Sequence, residues 1–197
     1  MSIRAIIFDI DGVLVSTKEL HEISIISALN KYGYSITHEY HKKELDGLPT
    51  KIKLQKLNIP MELHTSISNL KQELTFSQAE NYIKFRQDLF EMFNILSEKY
   101  YIGICSNAIR QFCELVVKIM KLKAHFIISN EDALPKPNPD MYLKTMNHFN
   151  ISDKETLICE DSFFGLESAF KSGANVLYVP NPSYLNLNYI ERYLKIL

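Results

Sequence analysis

Five short apolar runs, each closed by a small or acidic residue, recur along the 197-residue chain: Ile3 to Phe8, Ile102 to Cys105, Phe126 to Ile128, Leu157 to Cys159 and Val176 to Val179. Runs that are apolar at successive positions, without polar alternation, fit strands buried on both faces. Helix-length amphipathic stretches stand between them at Ile109 to Met120, Asp140 to Phe149 and Gly165 to Lys171. Strands alternating with helices predict an α/β fold on a Rossmann-like parallel sheet. Punctuation agrees: Asn138-Pro139 reads as an N-cap followed by proline at the first helical position, and Gly173 as the residue just past a helix end.

Residues 17–86 behave differently, with amphipathic helical patterns and no buried strand. They predict an all-helical cap subdomain inserted into a core formed by residues 1–16 and 87–197. Gly33 ends its first helix, Gly47-Leu48-Pro49 turns before the next, and Pro60 breaks the pattern again.

Composition narrows the function classes. The 22 Lys and Arg stand against 23 Asp and Glu, with no basic stripe, so nucleic acid is not an expected partner. No apolar run reaches the roughly 18 residues a membrane helix needs, and the N-terminus lacks a signal-peptide layout. A cytoplasmic monomer with no membrane partner is expected. Cys105, Cys113 and Cys159 are an odd set, two of them closing strand-like runs, and read as reduced core residues.

In open parallel sheets ligands bind beyond the carboxyl ends of the strands, so the residues that follow each run carry the information. Asp9 and Asp11 follow the first, Ser106 and Asn107 the second, and Glu160 and Asp161 the fourth, while Lys136 lies in the loop beyond the third. Two carboxylates about 4 Å apart repel by roughly 4 kcal/mol at an effective dielectric near 20, so a cation is expected among them. Ligands that are all oxygen select a hard ion, and a few carboxylates with open positions suit Mg²⁺.

Phe8-Asp9-Ile10-Asp11-Gly12-Val13-Leu14 resembles the first motif of the haloacid dehalogenase superfamily. Cys105-Ser106-Asn107 is similar to its second, Lys136 in Pro135-Lys136-Pro137 to its third, and Glu160-Asp161-Ser162 to its fourth. The run Lys136 to Tyr142 and the run Glu160 to Ala169 look most like the branch of β-phosphoglucomutase and small-molecule phosphatases, in which a helical cap follows the first motif. Each piece has a bland reading as turn, N-cap or solvated loop, but four motifs in order, each after an expected strand, leave those readings as coincidence.

The resemblance implies a role for each residue. Asp9 is the nucleophile that forms an aspartyl-phosphate, and Asp11 is the acid and base whose backbone carbonyl also reaches the metal. Ser106, Asn107, Lys136 and Gly12 serve the phosphate, and His21 serves the substrate. Asp9 and Asp161 hold Mg²⁺, with Glu160 either a further ligand or the residue that orients Asp161.

Asp11 favours phosphorus chemistry, since the dehalogenases of this superfamily lack an acid two residues after the nucleophile. The resulting expectation is a Mg²⁺-dependent phosphatase acting on a small phosphomonoester. A β-phosphoglucomutase-like phosphomutase is the alternative, and a degenerate binding protein a third reading. Thr17 and His21 match positions the mutase uses at its cap hinge. Against it, Asp46 and Thr50 stand where the mutase has lysine and a phosphate-gripping arginine, although Lys51 or Lys53 could substitute. Ser16 departs from the aspartate common among relatives. The binding protein predicts loss of a catalytic carboxylate, and all are present.

Overall fold

The computed structural model describes residues 2–197. In chain order its elements are β1 (Ala5–Phe8), α1 (Lys18–Lys31), α2 (His38–Tyr40) running into a π turn at His41–Leu45, α3 (Thr50–Lys56) and α4 (Met61–Tyr82). There follow α5 (Gln87–Ser97), β2 (Tyr101–Cys105), α6 (Arg110–Met120), β3 (Phe126–Ile128), α7 (Asp140–Phe149), β4 (Thr156–Glu160), α8 (Phe163–Lys171), β5 (Asn175–Tyr178) and α9 (Leu187–Leu194). Two compact units result, one holding the stretch up to Ser16 together with Ile83–Leu197, the other Thr17–Tyr82.

All strands of the first unit are parallel, in the order β3-β2-β1-β4-β5. The sequence reason is the one expected: β1 is buried at every position, with Phe8 in register with Ile104 on β2 and Cys159 on β4. Helices cover it through apolar residues three and four apart. Leu89, Met92, Phe93 and Leu96 of α5 are buried, and the Phe93 ring lies 4.8 Å from that of Phe8. Met141, Tyr142, Met146 and Phe149 of α7 join Ala5, Ile7, Cys105 and Ile158 in one core cluster.

The bounds of α7 match the sequence reading, while α8 starts two residues earlier than expected. α8 begins at Phe163 because Ser162 Oγ accepts the Gly165 N–H at 3.1 Å. α7 begins at Asp140, whose N–H donates to Asn138 Oδ1 at 3.0 Å, so asparagine accepts as expected but one register later. The tyrosine-rich tail has a structural use. From α9, Tyr189 and Tyr193 donate their hydroxyls to the carbonyls of Tyr178 and Val176 at 2.7 and 2.8 Å, capping an edge strand that would otherwise invite pairing.

The described elements of the second unit are all helical, packed around Ile25, Ala28, Leu29, Leu54, Ile59 and Ile67. Two buried lysines meet imidazoles there: Lys71 Nζ lies 3.0 Å from His21 Nδ1, and Lys53 Nζ 3.0 Å from His41 Nε2. Burial, and then the Lys53 charge, lower the His41 pKa to about 4, so that imidazole stays neutral and accepts. No described helix is long and apolar enough to cross a membrane.

Candidate active site

The strand order reverses beside β1, with β2 and β3 on one side and β4 and β5 on the other. The crevice of an open parallel sheet lies at this switch point, outside the carboxyl ends of β1 and β4. Asp9 directly follows β1, and its N–H continues the ladder onto Cys159 O at 3.1 Å. Glu160 is the last residue of β4 and Asp161 the next. One oxygen from each of these three carboxylates lies within 4.8 Å of the others.

The Asp-x-Asp turn is shaped by its glycine. Leu14 and Val15 donate to Ile10 O at 2.9 and 3.1 Å, and Gly12 to Val15 O at 2.7 Å, so the chain doubles back with Val13 and Leu14 buried. Gly12 has φ +99°, and a Cβ there would stand 2.0 Å from Asp161 Oδ2. A side chain at this position would be strained and would expel the Asp161 carboxylate. Asp11 bridges to Val15 in the same turn.

Lys136, 3% exposed, reaches the cluster from the loop beyond β3. Its ammonium donates to Asp9 Oδ1 and Glu160 Oε1, both at 2.6 Å, and to Cys105 O at 2.8 Å, which engages all three of its donors. Asn107 fixes the same residue by its backbone: its Oδ1 accepts the Lys136 N–H at 2.9 Å and its Nδ2 donates to Lys136 O at 3.2 Å. Ser106 is buried at the end of β2, donating its N–H to Ile128 O and accepting from Ala108 N on Oγ, each at 3.1 Å.

Glu160 is fully buried. Its Oε1 accepts from Lys136 and, at 2.6 Å, from the Tyr142 hydroxyl, while Oε2 accepts the Asp161 N–H at 3.0 Å. A Cβ on Gly165 would come 2.1 Å from Oε2, so that glycine is the floor on which the carboxylate rests.

Burial pushes the Asp9 pKa well above the usual carboxylate range, with Glu160 and Asp161 adding to the shift and Lys136 opposing it. For Lys136 burial favours the neutral amine, yet Asp9 and Glu160 together hold its pKa above normal. These tendencies conflict across one contact. An ammonium with three acceptors in place is satisfied only as the cation, so Lys136 and Asp9 form an ionised pair. Three carboxylates against one ammonium then leave two negative charges, on oxygen donors only. That donor set fits a hard divalent ion such as Mg²⁺.

The core unit therefore brings together Asp9, Gly12, Glu160, Asp161 and Lys136, with Ser106 and Asn107 on the adjoining loop. His21 lies in the helical unit, on α1. Sequence reasoning gave no role to Tyr142, Gly165 or the Cys105 carbonyl. The available signal was spacing, since Tyr142 comes six residues after Lys136, in the first turn of α7, and Gly165 five after Glu160.

The chain is similar to known proteins along most of its length. The family model described as haloacid dehalogenase-like hydrolase matches residues 6–179. A phosphorylated carbohydrates phosphatase from Thermotoga maritima is 23% identical over 184 residues, covering 89% of this chain and 84% of that protein. A pyrophosphatase from Bacillus mycoides is 28% identical over 194 residues, covering 91% and 84%. Among solved structures, a β-phosphoglucomutase from Clostridium difficile superposes with a TM-score of 0.82 at 18% identity, covering 98% of both chains. With a match across nearly all of the strands and every loop of the carboxylate cluster, the chain belongs to the haloacid dehalogenase-like hydrolases.

Proposed function

We propose that the protein is a Mg²⁺-dependent phosphatase that hydrolyses a small phosphomonoester, such as a sugar phosphate, through an aspartyl-phosphate on Asp9. The observation that carries this reading is the buried Asp9 carboxylate at the end of β1, in contact with Lys136 and sharing a 4.8 Å cluster with Glu160 and Asp161. An Asp9 oxygen attacks phosphorus as the bond from phosphorus to the ester oxygen breaks, and Asp11 gives that leaving oxygen its proton. Asp11 then takes a proton from water, which attacks the aspartyl-phosphate, releasing phosphate and restoring Asp9.

Ser106 donates to the phosphoryl oxygens, and Lys136, its backbone braced by Asn107, offsets their charge. Mg²⁺, held by Asp9, Asp161 and the Asp11 carbonyl, with Glu160 either a further ligand or the residue that orients Asp161, would supply the positive charge that lets a carboxylate approach a phosphate dianion. Gly12 gives Asp161 its place. Thr17–Tyr82 is assigned as the cap that selects the ester, with His21 as its substrate contact. Free, buried Cys105, Cys113 and Cys159 suit a cytoplasmic enzyme.

Hydrolysis is favoured over mutation of sugar phosphates because a mutase must grip a second phosphate. Asp46 and Thr50 offer no cation for it, and Lys53 is buried against His41. The test is a panel of phosphate esters and pyrophosphate assayed with Mg²⁺ and with a chelator, plus β-glucose 1-phosphate with a sugar bisphosphate primer. Release of phosphate that a chelator abolishes is expected. Activity in metal-free buffer would remove Mg²⁺ from the reading, and accumulation of glucose 6-phosphate would make the protein a mutase.

A further inference from the structure

α7 places one buried phenol beneath the carboxylate cluster. Tyr142 is fully buried, with its ring 5.2 Å from Lys136 Nζ and its hydroxyl 2.6 Å from Glu160 Oε1. Packing explains the ring but not the oxygen, because phenylalanine would fill nearly the same space without a polar atom to satisfy. A carboxylate oxygen can only accept, so across this contact the phenol hydroxyl is the donor.

Its acceptor is the most constrained carboxylate in the site. Glu160 Oε1 is shared between Tyr142 and Lys136, Oε2 takes the Asp161 N–H, and Gly165 closes the remaining side. Two distinct jobs pass through this group. Oε2 aims Asp161, and Oε1 competes with Asp9 for the Lys136 ammonium, each at 2.6 Å.

We infer that Tyr142 is a positioning residue: by donating to Glu160 Oε1 it fixes that carboxylate so that Asp161 faces the metal and Lys136 is divided between Glu160 and Asp9. An oxygen that already accepts a hydroxyl presents less negative charge to the ammonium beside it. Without the phenol, Glu160 Oε1 draws Lys136 onto itself and away from Asp9, and the carboxylate loses one of its anchors. Partners that stand behind metal ligands typically change affinity or activity by about 10- to 100-fold.

The inference rests on the phosphatase reading, and the experiment separates the two. Tyr142→Phe keeps the ring and removes only the donor. Titration calorimetry of Mg²⁺ into the resting protein should show about 10-fold weaker binding, with a comparable fall in kcat/KM for the best ester. Because the effect runs through Glu160, adding Tyr142→Phe to Glu160→Gln should cost little beyond Glu160→Gln alone, a non-additivity that loss of packing would not produce. Wild-type Mg²⁺ affinity in Tyr142→Phe, or losses that simply multiply in the double variant, would overturn the inference while leaving the phosphatase standing. Wild-type protein that neither binds Mg²⁺ nor releases phosphate would sink the function and the inference with it.

Discussion

Gly165→Ala sets two effects of known size against each other. Gly165 is the third residue of α8, where alanine is intrinsically better than glycine by about 1 kcal/mol. A Cβ there, however, would lie 2.1 Å from Glu160 Oε2 and 2.2 Å from Oε1, well inside the roughly 3.5 Å at which nonbonded heavy atoms rest. The carboxylate must swing away, abandoning Lys136, Tyr142 and the Asp161 N–H inside a fully buried pocket. Breaking a buried ion pair costs about 3 to 5 kcal/mol, so the helix gain loses and the net destabilisation is about 2 to 4 kcal/mol. At roughly 2 to 4 °C per kcal/mol for a chain of this size, calorimetric melting of the core unit should fall by about 5 to 15 °C. In a Glu160→Ala background the obstacle is gone, and the same Gly165→Ala change should be neutral or slightly stabilising. A Gly165→Ala single variant that melts at or above wild type would refute the reasoning.

The two aspartates of the first motif should fail differently. Asp9→Asn should lose several orders of magnitude in activity and form no covalent adduct. Asp11→Asn should be slowed about 10² to 10⁴-fold and, given p-nitrophenyl phosphate, accumulate one phosphoryl group detectable by intact mass after rapid quench. An adduct mapped to any residue but Asp9 would remove the mechanism. In the helical unit, the His41 pKa lies at about 4 against 6.5 for the free side chain, so folding favours the neutral ring. Its stabilisation is fully present above pH 6.5 and drains as pH falls toward 4, amounting to about 2 kcal/mol between pH 7 and 5. Denaturant melts should show His41→Gln losing about that much less than wild type over the same interval, and parallel curves would refute the assignment.

The sheet was legible because its strands are buried on both faces and so are written as unbroken apolar runs, and because the carboxylates sit where those runs stop. The start of α8 was read two residues late, since Ser162 acts as its cap through the Gly165 N–H that its side chain finds. Strand order and the resemblance of Pro135-Lys136-Pro137 to a known motif brought Lys136 to Asp9, 127 residues away, whereas nothing near His21 announces Lys71, 50 residues on. The histidines and tyrosines to which the sequence gave no function have structural partners. His64 Nε2 contacts Ile59 O at 2.9 Å, His38 Nδ1 contacts Glu22 Oε1 at 2.6 Å, and the α9 tyrosines cap β5.

Clustered carboxylates repel, and Lys136 is the cation that the structure places among them. At separations up to 4.8 Å and an effective dielectric near 20, the three carboxylate pairs repel by about 3 to 4 kcal/mol each, roughly 10 in all. Two Lys136 contacts at 2.6 Å return about 6 kcal/mol apiece on the same scale. On this pairwise count the two Lys136 contacts offset the repulsion among the carboxylates. The cluster's one ammonium is already shared before a substrate arrives. Every Lys136 donor is already engaged, by Asp9, Glu160 and the Cys105 carbonyl, and the cluster keeps two negative charges. A phosphate dianion arriving there must either pull Lys136 off one of its acceptors or come with a cation of its own. Under the proposed function Mg²⁺ would admit the ester to this site, so metal should govern activity far more than it governs stability.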